Sequence, residues 1–124
     1  MPIEGEKYAF REALKERTKQ FALRVIRLSQ ALPKSRESDV IGRQILRAGT
    51  SAAANYRAAC CARSVQEFRA NICIVVEECD ETVFWIELLI EANLISAEKL
   101  LPLRQEALEL LYIMSSARKN TRKT

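Results

Sequence analysis

Along the first quarter of the chain, apolar residues recur at Phe10, Leu14, Phe21, Val25, Leu28 and Leu32, in steps of three and four. That spacing lines one face of a helix, broken only where Arg17 and Thr18 fill an expected apolar turn, and it predicts a helix over 6–32. The helix stops at Leu32-Pro33, because proline pushes its predecessor out of the α region and cannot extend the hydrogen-bond ladder. After a polar connection, Ser38 or Asp39 is expected to cap a second helix over 39–62, with Val40, Ile41, Ile45 and Ala48 on its apolar side. Its middle, Ala48-Gly49-Thr50-Ser51-Ala52-Ala53-Ala54-Asn55, has almost no side-chain bulk. Gly49 costs about 1 kcal/mol relative to alanine inside a helix, and a need for close approach by a neighbouring helix would account for it.

Ser64-Val65-Gln66-Glu67 is a capping box that opens a third helix over 65–92. Phe68, Ile72, Val75, Cys79, Val83, Ile86 and Ile90 make one apolar stripe of it, and Ile74, Trp85 and Leu88 a second, more apolar surface than one core needs. Leu100, Leu103, Ala107, Leu110, Leu111 and Met114 define a fourth helix over 97–117, in which Pro102 predicts either a later start or a kink. Residues 118–124 read as a frayed basic tail. Four long helices joined by short connections predict an all-α, antiparallel up-down-up-down bundle, with residues 1–124 forming a single domain.

Composition agrees with that pattern. Hydrophobic residues make up 48% of 124 residues, too many for disorder, while three Gly and three Pro are too few for a multi-stranded β fold. No apolar run approaches the roughly 20 residues of a membrane span, and Met1-Pro2-Ile3-Glu4-Gly5-Glu6 lacks the pattern of a leader, so a soluble cytoplasmic protein is expected. The formal charge of +4 is unevenly spread. Residues 1–69 carry 14 Lys and Arg against 7 acids, residues 70–98 carry 7 acids and no base, and residues 99–124 carry 6 bases against 2 acids. One surface for polyanions and another for cations or self-association would follow, although ordinary solvated helix faces also distribute charge unevenly.

Catalytic chemistry finds little support. The chain has no histidine, which removes Ser-His-Asp and Cys-His catalysis and mixed Cys/His zinc sites, and it has no Gly-rich phosphate loop. Bundles can hold di-iron centres on inward carboxylates, but the histidine half of that pattern is missing here. Cys60, Cys61, Cys73 and Cys79 form no Cys-x-x-Cys and read as free buried thiols. No catalytic residue, metal or cofactor is expected, and the chain reads as a non-enzyme. The eight aromatic residues do not interleave with arginines, and most fall on positions read as core, which speaks against base stacking.

Phosphate contact is better supported. Arg43 and Arg47 stand one turn apart on the second helix, and Arg118, Lys119, Arg122 and Lys123 add four cations in the tail, although surface solubility alone would also use them. On the third helix, Glu77 and Glu81 share a face beside Trp85, a candidate surface for docking a basic partner.

The stretch Gln44-Ile45-Leu46-Arg47-Ala48-Gly49-Thr50-Ser51-Ala52-Ala53-Ala54-Asn55-Tyr56, followed by Arg63-Ser64-Val65-Gln66-Glu67-Phe68, resembles the four-helix-bundle proteins of intervening sequences in bacterial 23S ribosomal RNA genes. The resemblance covers most of the chain and includes the Leu32-Pro33 helix end and the acidic run from Glu77 to Leu89 that contains Trp85. It implies a ring-like homopentamer, which would explain the second apolar face of the third helix. A related branch, the accessory variability determinants of diversity-generating retroelements, is similar in fold and assists a reverse transcriptase by binding it and nucleic acid. Arg47, Ser51, Asn55, Arg63, Ser64, Glu67 and Phe68 match the family pattern. Arg57 stands where many relatives have a glutamate, so no role for an acid is carried over there. Much of the pattern has a structural reading: Asn55 satisfying backbone groups, Ser64 and Glu67 capping, Phe68 entering the core.

Two functions follow. The first is a non-catalytic oligomeric scaffold whose basic surface contacts RNA or DNA with little sequence readout. The second is an adaptor whose acidic third helix, through Glu77, Glu81 and Trp85, docks a partner such as a reverse transcriptase.

Overall fold

The computed structural model describes residues 4–121. These form α1 (Glu4–Ala31), α2 (Arg36–Cys60), α3 (Val65–Glu91) and α4 (Ala97–Thr121), with no strand among the described residues. Each helix packs along the one before it, and the short connections make neighbours antiparallel. Closure is uneven, because α1 and α4 meet at few positions.

The ends of the helices follow their caps. α2 starts three residues earlier than its apolar pattern suggested, because Ser35 is the cap and its hydroxyl accepts from the Ser38 amide at 3.1 Å. Neither Ser38 nor Asp39 caps; Ser38 is buried in the first turn. At the start of α3, Ser64 Oγ accepts from the Glu67 amide at 3.0 Å, and the Glu67 carboxylate accepts from the Arg63 amide at 3.3 Å, one residue before the usual capping-box donor. α3 ends with Asn93 at φ 59°, the Leu94 amide donating to the Leu89 carbonyl and the Asn93 amide to that of Ile90. This is a Schellman motif with asparagine in the left-handed position that glycine usually takes.

α4 starts where its apolar pattern placed it and ends later than expected. It begins at Ala97 and runs through Pro102, so the later start is not taken: Pro102 is exposed and the missing donor leaves only the Glu98 carbonyl of the first turn without its helical partner. It also continues to Thr121, so the first four residues assigned to a frayed tail are helical.

The core is drawn from all four helices, with Phe21, Val25, Ile45, Ile72, Ile86, Leu89, Leu110 and Met114 almost fully buried. The bulk-free stretch of α2 does bring a helix close. A Cβ on Gly49 would lie 2.8 Å from Val25 Cγ2, so α1 rests directly on the α2 backbone there. At the gap in the α1 stripe, Thr18 is buried and satisfies its hydroxyl by donating to the Lys15 carbonyl at 3.0 Å.

Phe10 and Val40, placed on apolar helix faces by periodicity, lie outside the core, Val40 because it stands on the exposed side of the first turns of α2. Phe10 is 60% exposed, because α1 stands apart from the other helices across a cleft in its first turns and Leu14 is its first buried side chain. Tyr8, Phe84 and Tyr112 are exposed too, leaving Phe21 and Tyr56 as the fully buried aromatics, with Phe68 and Trp85 packed at the core margin. The expectation that most aromatics are core residues therefore fails. All four cysteines are free, but only Cys79 is buried; Cys60 and Cys73 are half-buried and Cys61 is exposed. Desolvation pushes the Cys79 thiol up to about 12, which leaves it inert.

Candidate functional site

Two places combine unusual chemistry with access to solvent, one on the α2–α3 seam and one at the end of the bundle that holds both chain termini.

On the seam, Arg47 of α2 reaches across to α3, donating to Glu78 Oε2 at 3.0 Å and to Glu81 Oε2, while its Nε reaches Gln44 Oε1 at 3.3 Å. Glu81 also accepts from the indole N–H of Trp85 at 2.9 Å. Trp85 and Phe84 meet edge to face, with ring centroids 4.9 Å apart. The indole hydrogen bond and then the Arg47 guanidinium hold the Glu81 carboxyl below its ordinary range. Glu78 is buried, so Arg47 supplies the charge that makes its burial tolerable.

This arrangement joins residues that the sequence assigned to separate surfaces. Arg47 was a candidate phosphate ligand and Glu81 and Trp85 were candidates for partner docking, yet the three form one intramolecular network. Arg47 thus commits its Nε and both terminal nitrogens within the chain, and of the docking residues only Glu77 presents an uncommitted carboxylate. Arg43 is exposed, and Arg118 and Lys119 lie on the last turn of α4; Arg122 and Lys123 lie outside the described residues. Arg43 is near the α1–α2 turn and Arg118 and Lys119 are near the chain ends, so the basic candidates do not form one cluster.

The remaining pattern residues have structural partners. Asn55 Nδ2 donates to the Ser51 carbonyl and to Ser51 Oγ, at 2.9 and 3.0 Å. Phe68 packs against the core from its margin. Arg63 is largely exposed, 3.7 Å from Glu67. Sequence reasoning did not anticipate the corresponding α1–α4 link, in which Arg17 makes a two-pronged contact with Glu106 at 2.7 and 2.8 Å and reaches Glu109 at 2.8 Å. Its signal was the gap in the α1 stripe: a cation at a core-facing position needs acids opposite, and Glu106 and Glu109 are spaced three apart on one face of α4.

At the terminal end, the first turns of α1, the α2–α3 connection and the last turns of α4 enclose two adjoining cavities of about 380 and 720 Å³. Arg11, Phe68, Ala117 and Asn120 line both. Tyr56 lines the smaller one, and burial raises its hydroxyl above the ordinary tyrosine range. Among the described residues, no group of His, Cys, Asp or Glu is placed to hold a metal ion, and no helix is long and apolar enough to cross a membrane.

Comparison with known proteins agrees with the geometry. None of the curated proteins matches the chain. Among solved structures, a protein of unknown function from the S23 ribosomal protein family of Bacteroides thetaiotaomicron is similar at 32% identity. That match covers 88% of this chain and 97% of the other, with a TM-score of 0.81. Residues 13–116 match the family described as 23S rRNA-intervening sequence protein, and the chain belongs to that family.

Proposed function

We propose that this protein is a non-catalytic scaffold of the cytoplasm that assembles with copies of itself, as a ring of five, and holds nucleic acid against its basic surface without reading sequence. The observation that carries this reading is the outward face of α3. There an exposed Phe84 stands edge to face with Trp85, and Trp85 is held in place by Glu81 and Arg47. An exposed aromatic ring braced on a tryptophan that is itself packed at the core margin has the character of an interface anchor. Ile74 extends the same face, and the charge of α3 is wholly acidic beyond Arg69. α1 and α2 carry most of the chain's cations, so an acidic face of one copy against a basic face of the next is the favourable contact. Such a head-to-tail contact repeats around a ring when the rotation closes.

The nucleic-acid half rests on cations left unpaired after the internal links are made, including Arg43 on α2 and Arg118 and Lys119 at the end of α4. The adaptor reading has less to work with, since Glu81 is engaged by Arg47 and Trp85 in turn donates to Glu81. The test is the mass of the purified protein in solution, alone and with a generic RNA, at low and high salt. The proposal expects a ring-sized particle that takes up RNA at low salt and releases it as salt rises. A 14.1 kDa monomer indifferent to RNA at any salt overturns it.

A further inference from the structure

The terminal cleft has a composition unlike the rest of the surface. Among the described residues its charged lining is Lys7, Arg11 and Arg63, with no Asp or Glu in the wall of either cavity. Described acids beside it lie outside that wall: Glu67, 3.7 Å from Arg63, and Glu6, in a neighbouring recess with Lys7, Phe10 and Arg11. A wall with cations alone favours an anionic ligand.

The apolar part of the lining narrows the chemistry further. Phe10 enters from α1 and Phe68 from α3, with Ile113 and Ala117 from α4 in the same wall. Phe10 is 60% exposed although a core lies one turn further on, so its ring is presented to the cleft and to solvent rather than buried by its own chain. Ser116 and Asn120 in the smaller cavity and Ser64 in the larger add neutral donors and acceptors. A simple phosphate would need the cations and not the rings; an apolar ligand would need the rings and not the cations. A ligand with flat aromatic units on an anionic backbone uses both, and single-stranded nucleic acid has that chemistry.

We infer that the terminal cleft is a binding site for a single-stranded segment of nucleic acid. One base stacks against Phe10 and Phe68, Arg11, Lys7 and Arg63 hold the flanking phosphates, and Asn120 and Ser116 lie within the same pocket as hydrogen-bonding groups for a base edge. The inference deepens the nucleic-acid half of the proposed function and rests on it. It moves the principal contact from Arg43 and Arg47 to a pocket at the other end of α2, and it predicts a preference for single strands, because paired bases cannot enter the pocket.

The probes are fluorescein-labelled oligouridylate of ten residues, oligodeoxythymidylate of the same length, a ten-base-pair duplex, and an oligoglutamate peptide of matching charge. Binding is measured by anisotropy to the full-length protein across a salt series. The single strands are expected to bind more tightly than the duplex and the peptide. Phe10→Ala should weaken single-strand binding about tenfold with no change in salt slope, as loss of one stacked base requires. Arg11→Ala should weaken it and also reduce the slope by about one phosphate contact. Both residues are exposed, so the fold should survive, and unchanged emission from Trp85, the only tryptophan, checks it. If the oligonucleotides bind but neither variant alters affinity while Arg43→Ala does, the cleft is not the site and the broader reading stands. If the oligoglutamate binds as tightly as the single strands, the cleft is a cation patch without base recognition and the inference fails. If no oligonucleotide binds even at low salt, both fall.

Discussion

Arg17 and Arg47 each reach from one helix to two glutamates on another, but the seams they cross differ in density. Beneath Arg47, α2 and α3 are in contact along their length over Ile45, Ile72, Val75 and Cys79, all fully buried. Beneath Arg17, α1 and α4 meet at few positions, and at one end they part to form the terminal cleft. The same ion pairing therefore has two consequences. At the dense seam it keeps a buried carboxylate neutralised and fixes an aromatic pair on the surface. At the open seam it is a principal link between two helices that otherwise hold each other only through their neighbours.

The third close approach, between α1 and α2, shows how much the dense side depends on fit, and it gives the largest expected effect. Gly49→Leu would drive a side chain into Val25, and a loss of about 3 kcal/mol in denaturant unfolding is expected, at the upper end of overpacking costs. Gly49→Ala should cost about 1 to 2 kcal/mol, and in a double-mutant cycle with Val25→Ala the two changes should couple by about 1 kcal/mol or more in the relieving direction. Additive costs would mean that α1 does not press on that backbone.

Next is Arg47→Ala. Glu78 would remain buried without its cation, at an expected cost of about 2 kcal/mol, and Glu78→Gln in the same background should recover part of it. Trp85 emission should change as well, since its anchor loses its own support. Arg17→Ala is expected to cost about 1 kcal/mol or less in global stability, because its partners are partly solvated. Its larger effect should be faster amide exchange in the first half of α1, with α3 unaffected. Equal global costs for the two arginines would remove the distinction between the seams.

Acid should act first on the surface anchor. The Glu81 carboxyl is held low, chiefly by the Trp85 indole and then by Arg47, so it contributes stability above the unfolded carboxylate value of about 4.3 and loses it as pH falls through its own lower value. Trp85 emission should therefore stay constant from neutral pH down to about 4 and shift below it, and Glu81→Gln should already show the shifted emission at neutral pH. The smallest effect is expected at Gly42, where an added Cβ would meet only the flexible end of Leu32 at 3.0 Å. Gly42→Ala should fall within about 0.5 kcal/mol of neutral, the gain in helix propensity offsetting a small shift of Leu32.

Periodicity carried the architecture because every helix has a buried stripe, and the proline at the end of α1 and the capping box at the start of α3 marked two boundaries. Ser35 does not stand out as the α2 cap in the sequence because Ser38 and Asp39, closer to the apolar run, are equally good capping residues, and only backbone geometry separates them. Phe10 and Val40 misled because periodicity reports which side of a helix an apolar residue takes, and cannot show that the position lies where no neighbouring helix covers it. The candidate sites were legible as residue types but not as pairings. Arg47 and Glu81 are 34 positions apart, so the sequence offered a cation for phosphate and an acid for a partner, while the fold pairs them with each other. The terminal cleft left no trace in any single segment, since its lining comes from all four helices.

The central claim is that the outward face of α3 is where copies of this chain meet. Light scattering coupled to size exclusion on the wild-type protein and on Phe84→Glu tests it most directly. The account predicts a wild-type mass several times 14.1 kDa, near five copies, and a variant that keeps its helical content but runs as a monomer. A monomeric wild type, or a variant whose assembly is as large and as stable as the wild type, would contradict it.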